Sequence, residues 1–117
     1  MPKNENRLNR INEELKKEIS HIISFELKNP DITGLISVTK VKITPDLKYA
    51  KVYVSLLNSK DEAKTMGALE QSAGFTRSLV AKRVNLRITP ELIFEKDESM
   101  EYGMKIDSIL KKLNSDK

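Results

Sequence analysis

Cysteine is absent from the 117 residues, so disulfides and thiolate metal sites are excluded and a reducing, cytoplasmic setting is expected. Histidine occurs once. It is His21, on the polar side of a helical segment, and it reads as an exposed residue because proton shuttles and metal sites need partners nearby. No apolar run approaches the roughly 20 residues that cross a bilayer. The N-terminal MPKNENRLNRIN lacks the apolar core of a secretion signal. Neither membrane association nor secretion is expected. The chain has no repeat, no low-complexity tract, no G-x-S-x-G turn, no glycine-rich phosphate loop and no His/Asp/Glu spacing suited to a metal. Asp97, Glu98 and Glu101 cluster in sequence without an apolar pocket, which fits a helix N-terminus better than an acid/base pair. Catalysis, cofactors, metals and a small-molecule substrate are therefore not expected.

Charge, by contrast, is plentiful. Charged residues make up 32% of the chain, apolar ones 38%, and the formal net charge is +4. That length and composition fit one soluble domain with a solvated surface and a mild bias toward polyanions. The distribution is more telling than the sum. Between Gln71 and Pro90 there is no acidic residue, while Glu91, Glu95, Asp97, Glu98 and Glu101 follow. One face is expected to meet a negatively charged partner and another to be kept from it.

Leu8, Ile11, Leu15, Ile19 and Ile22 recur at steps of three and four, predicting an amphipathic helix from Arg7 to Leu27, capped by Asn4 or Asn6 and ended by Asn29-Pro30. Arg10, Lys17, His21 and Lys28 fall opposite the apolar stripe, as a solvated back would. GLISVTKVKIT, residues 34–44, reads as a strand whose apolar parity changes once, predicting a bulge near Thr39-Lys40. After a turn at Pro45-Asp46-Leu47, the segment 48–57 alternates: Ala50, Val52, Val54 and Leu56 on one face, Tyr49, Lys51, Tyr53 and Ser55 on the other. The two strands are expected to pair as a hairpin. Tyrosine interleaved with lysine on an open sheet can stack unpaired bases, although cross-strand pairing also accounts for it.

A helix opening at Asn58-Ser59-Lys60-Asp61 is expected to carry Ala63, Met66, Leu69 and Ala73 inward. Gly74 then interrupts it, at a cost of about 1 kcal/mol relative to alanine. A second helix is expected from Phe75, with Phe75, Leu79 and Val80 on its apolar side and Arg77, Ser78, Ala81 and Lys82 facing out. Free N–H groups at a helix start favour anions, so the break fits a phosphate backbone; it equally fits a kink that only lets two helices pack. The residues alone leave both open. A third strand is expected over Asn85 to Phe94, with Leu86, Ile88, Leu92 and Phe94 on one face and Pro90 marking an edge or bulge. Ile106, Ile109, Leu110 and Leu113 form the stripe of a C-terminal helix. The whole predicts an α+β two-layer domain.

The segments ITGLISVTKVKITPDLKYAKVYVS and GFTRSLVAKRVNLRITPELIFEKDESMEYGMKID resemble ribosome-binding factor A, a family of bacterial small-subunit assembly factors. The run LRITPELIFEKDESMEYG is specific in its detail, and the likeness covers roughly Arg10 to Leu113. It implies a single type II KH-like domain, helix-strand-strand-helix-kink-helix-strand, with a three-stranded sheet, helices on one face and an extra C-terminal helix. The usual GxxG loop is replaced by an Ala-x-Gly kink. Here Ser72 stands where the family has alanine; it is small enough to keep the bend, and its hydroxyl is expected to cap the second helix. The division expected is a flexible N-terminus over 1–6, the KH-like RNA-binding domain over 7–96, the C-terminal helix over 97–113 and a disordered tail over 114–117. The resemblance further implies a cytoplasmic, monomeric, non-enzymatic factor that binds the free 30S subunit and 16S rRNA. It would assist late 30S maturation and processing of the rRNA 5′ end, and matter for cold adaptation.

The residues expected to meet RNA are Ser72, Ala73, Gly74, Arg77, Lys82, Arg83 and Arg87, with Arg10, Lys17 and Lys51 as weaker candidates. Docking on rRNA shape and backbone is expected, rather than the clamping of four nucleotides that a GxxG loop performs. Two other classes are open: a protein-interaction module that meets the small subunit mainly through ribosomal proteins, and a ribonuclease, which would need a catalytic constellation that the sequence lacks.

Overall fold

The computed structural model describes residues 2–98. Apart from Asp97 and Glu98, the C-terminal helix expected over 97–113 and the tail over 114–117 lie outside them. The described elements run α1 (Pro2–Phe25), β1 (Leu35–Ile43), β2 (Tyr49–Leu57), α2 (Glu62–Gln71), α3 (Ala73–Arg83) and β3 (Glu91–Lys96). This is the expected α+β order.

Helix α1 begins at Pro2, so the segment expected as a flexible N-terminus is already helical. Proline suits a first turn, where its missing N–H costs nothing and its φ is preset. Leu15, Ile19 and Ile22 are fully buried, and each such side chain contributes about 1.5–3 kcal/mol over leaving it in water. The helix ends at Phe25, earlier than the expected Leu27. Glu26 and Leu27 N–H both donate to the Ile22 carbonyl (2.8 and 3.0 Å), and the chain then turns, with Asp31 N–H on the Asn29 side-chain oxygen at 3.0 Å.

Strands β1 and β2 pair antiparallel, with the register shifting between Val38 and Lys40. The extra residue is Thr39. It switches parity so that Val38, Val41 and Ile43 all face the core. The hairpin turn is held by Asp46, whose carboxylate accepts from the Thr44 hydroxyl (2.6 Å) and Lys48 N–H (3.0 Å), while Leu47 takes φ 65°. Those two bonds, the hydroxyl first, hold the Asp46 carboxyl below its ordinary range. Strand β3 joins β2 in parallel, Ala50 opposite Leu92 and Val52 opposite Phe94, giving the sheet order β1-β2-β3. The three helices pack on the face carrying Val38, Val52, Val54, Leu92 and Phe94. Each edge carries a side-chain partner: Ile43 N–H donates to Asn12 Oδ1 of α1 (2.8 Å), and Phe94 N–H to Glu70 Oε1 of α2 (3.0 Å).

Three expectations need correction. The third strand is confined to Glu91–Lys96, and Ile88 is exposed. Pro90 has no N–H to give a ladder, and Arg77 occupies the carbonyls of Thr89 and Pro90, so residues 85–90 run as a loop. In α2, Thr65, Ala68 and Leu69 face inward and Ala63 is exposed. The helix is rotated to bring the Thr65 hydroxyl to the Asp31 carbonyl (2.8 Å) and Ser59 Oγ (2.9 Å), beneath the loop that enters β1. In α3, Thr76 and Val80 are buried while Phe75 stands 52% exposed, because the Thr76 hydroxyl donates back to the Ser72 carbonyl at 2.9 Å and turns that side inward.

Gly34 enters β1 with φ +82°, and a Cβ there would lie 2.4 Å from the Leu57 carbonyl oxygen and 2.7 Å from Ser59 N. Gly34→Ala should destabilise the fold by at least about 2 kcal/mol, combining left-handed strain with a backbone clash. Urea unfolding of the variant against the parent measures it.

Candidate nucleic-acid interface

The break between α2 and α3 falls on Ser72, not Gly74. Ser72 closes α2, its N–H bonded to Ala68 O (3.0 Å), and opens α3, with φ −86° and ψ −1°. Its hydroxyl makes no capping hydrogen bond, contrary to expectation. The first turn of α3 is tied instead by Thr76, whose N–H and hydroxyl both reach Ser72 O at 2.9 Å. Gly74 lies inside α3 with no positive φ, and a Cβ built on it meets nothing within 4 Å. Neither conformation nor packing asks for glycine there. Around it, Phe75, Ser78, Ala81 and Lys82 form the exposed side of α3. These short side chains leave the helix backbone approachable beside one aromatic ring and one ammonium.

The cations separate into two kinds. Arg77 is exposed, yet its guanidinium donates to Thr89 O from Nη2 (2.9 Å) and to Pro90 O from Nε (3.2 Å), fastening the loop before β3 to α3. Arg83 clasps α1: Nη1 donates to Glu18 Oε1 (3.0 Å) and to Glu26 Oε2, and Nη2 to Glu26 Oε1 (2.6 Å). Both arginines therefore act as struts before they act on any partner. Lys82 and Arg87 are exposed and have no ionic or hydrogen-bonding partner among the described residues. Lys17 and Arg10 are exposed on α1. Lys51 stands on the other layer, its ammonium 3.9 Å from Glu95, so it does not join the α3 group.

His21 is exposed as expected, 4.0 Å from Glu26 Oε2, with its ring centroid 5.0 Å from that of Phe25. Phe25 is 73% exposed, and with Lys17, Ser24 and Arg83 it lines a shallow cavity of about 590 Å³ between α1 and α3. Arg87 lies at the far end of the same helical layer, where it shares a cavity of about 320 Å³ with Arg7, Leu8 and Pro45. Sequence reasoning passed over Phe25 and Arg7, and placed Phe75 on the apolar side of its helix. Phe25 was legible, since it follows His21 by four residues and so shares its polar side; Phe75 was not, because its exposure depends on Thr76. Among the described residues no group of three or more His, Asp or Glu could hold a metal ion, and no helix is long and apolar enough to cross a membrane.

The fold and this helical face define a small KH-like α+β domain with exposed cations on its helical layer. The family model of ribosome-binding factor A matches residues 7–110. The ribosome-binding factor A of Clostridium tetani is 54% identical over 108 residues, spanning 92% of this chain and 89% of that protein. The chain belongs to the ribosome-binding factor A family. The crystal structure of ribosome-binding factor A from Thermus thermophilus matches its fold with TM-score 0.71 at 24% identity, over 79% of this chain and 97% of that one. A homology model of the Thermus thermophilus factor, fitted into a cryo-EM map of its 30S complex, gives TM-score 0.62 at 25% identity over 74% and 91% of the two chains.

Replacing Gly74 by alanine should stabilise the domain by up to about 1 kcal/mol, because a helical glycine with open space around it gains only from the change. Chemical denaturation measures this directly. The Arg83 clasp makes a second prediction, on pH. Hydrogen bonding to Arg83, and then its charge, outweigh desolvation and hold the Glu26 carboxyl below its ordinary range. A depressed folded value means the clasp contributes fully above the ordinary carboxyl range and is lost as pH falls through Glu26's own lowered value. Thermal midpoints of the parent should therefore drop more steeply on acidification than those of Glu26→Gln.

Proposed function

We propose that the protein binds the small ribosomal subunit and its 16S rRNA through the exposed side of α3, acting as a non-enzymatic assembly factor. The observation that carries this reading is Gly74: a glycine kept in a helix, against propensity, where the fold has no use for it. A partner whose backbone must come close accounts for it, and phosphate is the partner that Lys82 and Arg87 fit. Family membership supports the same partner, as does the 30S complex of the Thermus thermophilus factor.

The finer role is late maturation of the subunit, including the 5′ end of 16S rRNA, with its greatest weight in the cold, when RNA misfolding is slow to resolve. The KH-like domain over 7–96 carries the binding, as one cytoplasmic copy per subunit, and the factor holds an rRNA intermediate by shape rather than cutting it.

Gly74→Leu should raise the unfolding midpoint slightly, as alanine does, while weakening binding to purified 30S subunits. Loss of stability with unaltered affinity would instead make the glycine a packing residue. Affinity should fall steeply with salt, and Lys82→Ala or Arg87→Ala should each flatten the logarithmic slope by about one unit. Arg77→Ala and Arg83→Ala should lower stability first. A salt-independent affinity would move the contact to ribosomal proteins.

A further inference from the structure

The face of the sheet away from the helices carries its own chemistry. The core takes Val41, Ile43, Val52 and Val54, so Lys40 and Lys42 of β1 and Tyr49, Lys51 and Tyr53 of β2 project from the other side. The register sets Lys42 directly opposite Lys51 and Lys40 opposite Tyr53. Like charges directly opposite in a sheet are destabilising, and nothing in the fold requires this pair. Lys51 leans toward Glu95 at 3.9 Å, which leaves Lys42 without a partner among the described residues. The Lys40 ammonium sits over the half-buried Tyr53 ring, 4.8 Å from its centre, so a base that stacks on that face takes the place of the ammonium, which then swings to the base's phosphate. Tyr49 is 43% exposed beside Glu91, at the rim of the patch.

We propose that this sheet face is a second RNA contact, taking unpaired bases on Tyr49 and Tyr53 and a phosphate between Lys40, Lys42 and Lys51. The cost of the opposed lysines is repaid when an anion lies across them. Flat rings on a flat sheet, interleaved with ammonium groups, suit stacked bases with a following backbone. An acidic peptide would engage the lysines and have no use for the ring faces. Because α3 lies on the opposite layer, one copy of the protein would touch two separate RNA segments at once. The surface is distinct from the α3 side, and either contact can fail without the other.

The protein has three tyrosines and no tryptophan, so in a Tyr102→Phe background its emission reports on Tyr49 and Tyr53. Titration with a short oligouridine should quench that emission, in the parent and in Gly74→Leu alike. Tyr49→Ala should weaken oligouridine binding roughly tenfold, as the loss of one stack does. Lys42→Glu separates the proposal from a structural role by sign: it should raise the melting temperature, by placing unlike charges opposite each other, and yet weaken oligouridine binding. The proposal is overturned if Lys42→Glu leaves that binding unchanged, or if Gly74→Leu abolishes the quenching. It is equally overturned if polyglutamate displaces the oligouridine without restoring tyrosine emission.

Discussion

Parallel pairing of β2 with β3 is the constraint on which the rest of the structure depends. A chain leaving the end of β2 must travel back along the sheet before β3 can start, and that return needs a crossover. α2 and α3 are the crossover. They return over the same face that α1 already covers, which commits that face to the core and leaves the other uncovered among the described residues. One residue, Ser72, breaks the return into two helices. The short second helix then lies against α1, with Gly74, Phe75 and Lys82 turned outward.

Positive charge in this small domain first serves cohesion. Arg83 binds the carboxylates of Glu18 in α1 and of Glu26 just past its end, and Arg77 binds the carbonyls of a loop that proline prevents from pairing. A guanidinium is suited to both tasks because its planar fork satisfies several acceptors at once. The lysine of the same helix has a compact charge and no such geometry to satisfy, and it is the one left outward. Within α3 the cations are thus divided by side-chain type, while Arg87, beyond the helix, is without a partner among the described residues.

Most of the fold was legible because its signals are local. The alternation of Ala50, Val52, Val54 and Leu56 marked the central strand, and the single parity change marked the Thr39 bulge. The α1 stripe was likewise readable, though not its start at Pro2. What escaped were decisions made by long-range polar contacts. The Thr65 hydroxyl meets the Asp31 carbonyl across more than thirty positions, and it turns α2 away from the face its alanines suggested. Arg83 meets Glu18 from 65 residues away, so a residue that read as a free cation is a strut. Gly74 looked like the cause of the break because glycine is the familiar breaker; the break belongs to the serine before it, and the glycine is left without a structural task. The candidate face was therefore legible as a region of exposed cations and short side chains, and the pairing of its arginines was not.

The two side-chain partners at the sheet edges have a consequence for how copies of the chain meet. A three-stranded sheet offers two exposed edges, each able to recruit a strand from another molecule. Here Asn12 stands at the outer side of β1 and Glu70 at the outer side of β3. A strand arriving at either edge must first displace a side chain already bound there, and at β3 that means breaking a charge-assisted bond. Both guards come from helices that the core holds in place, so sheet extension between copies is resisted for as long as the helical layer stays docked.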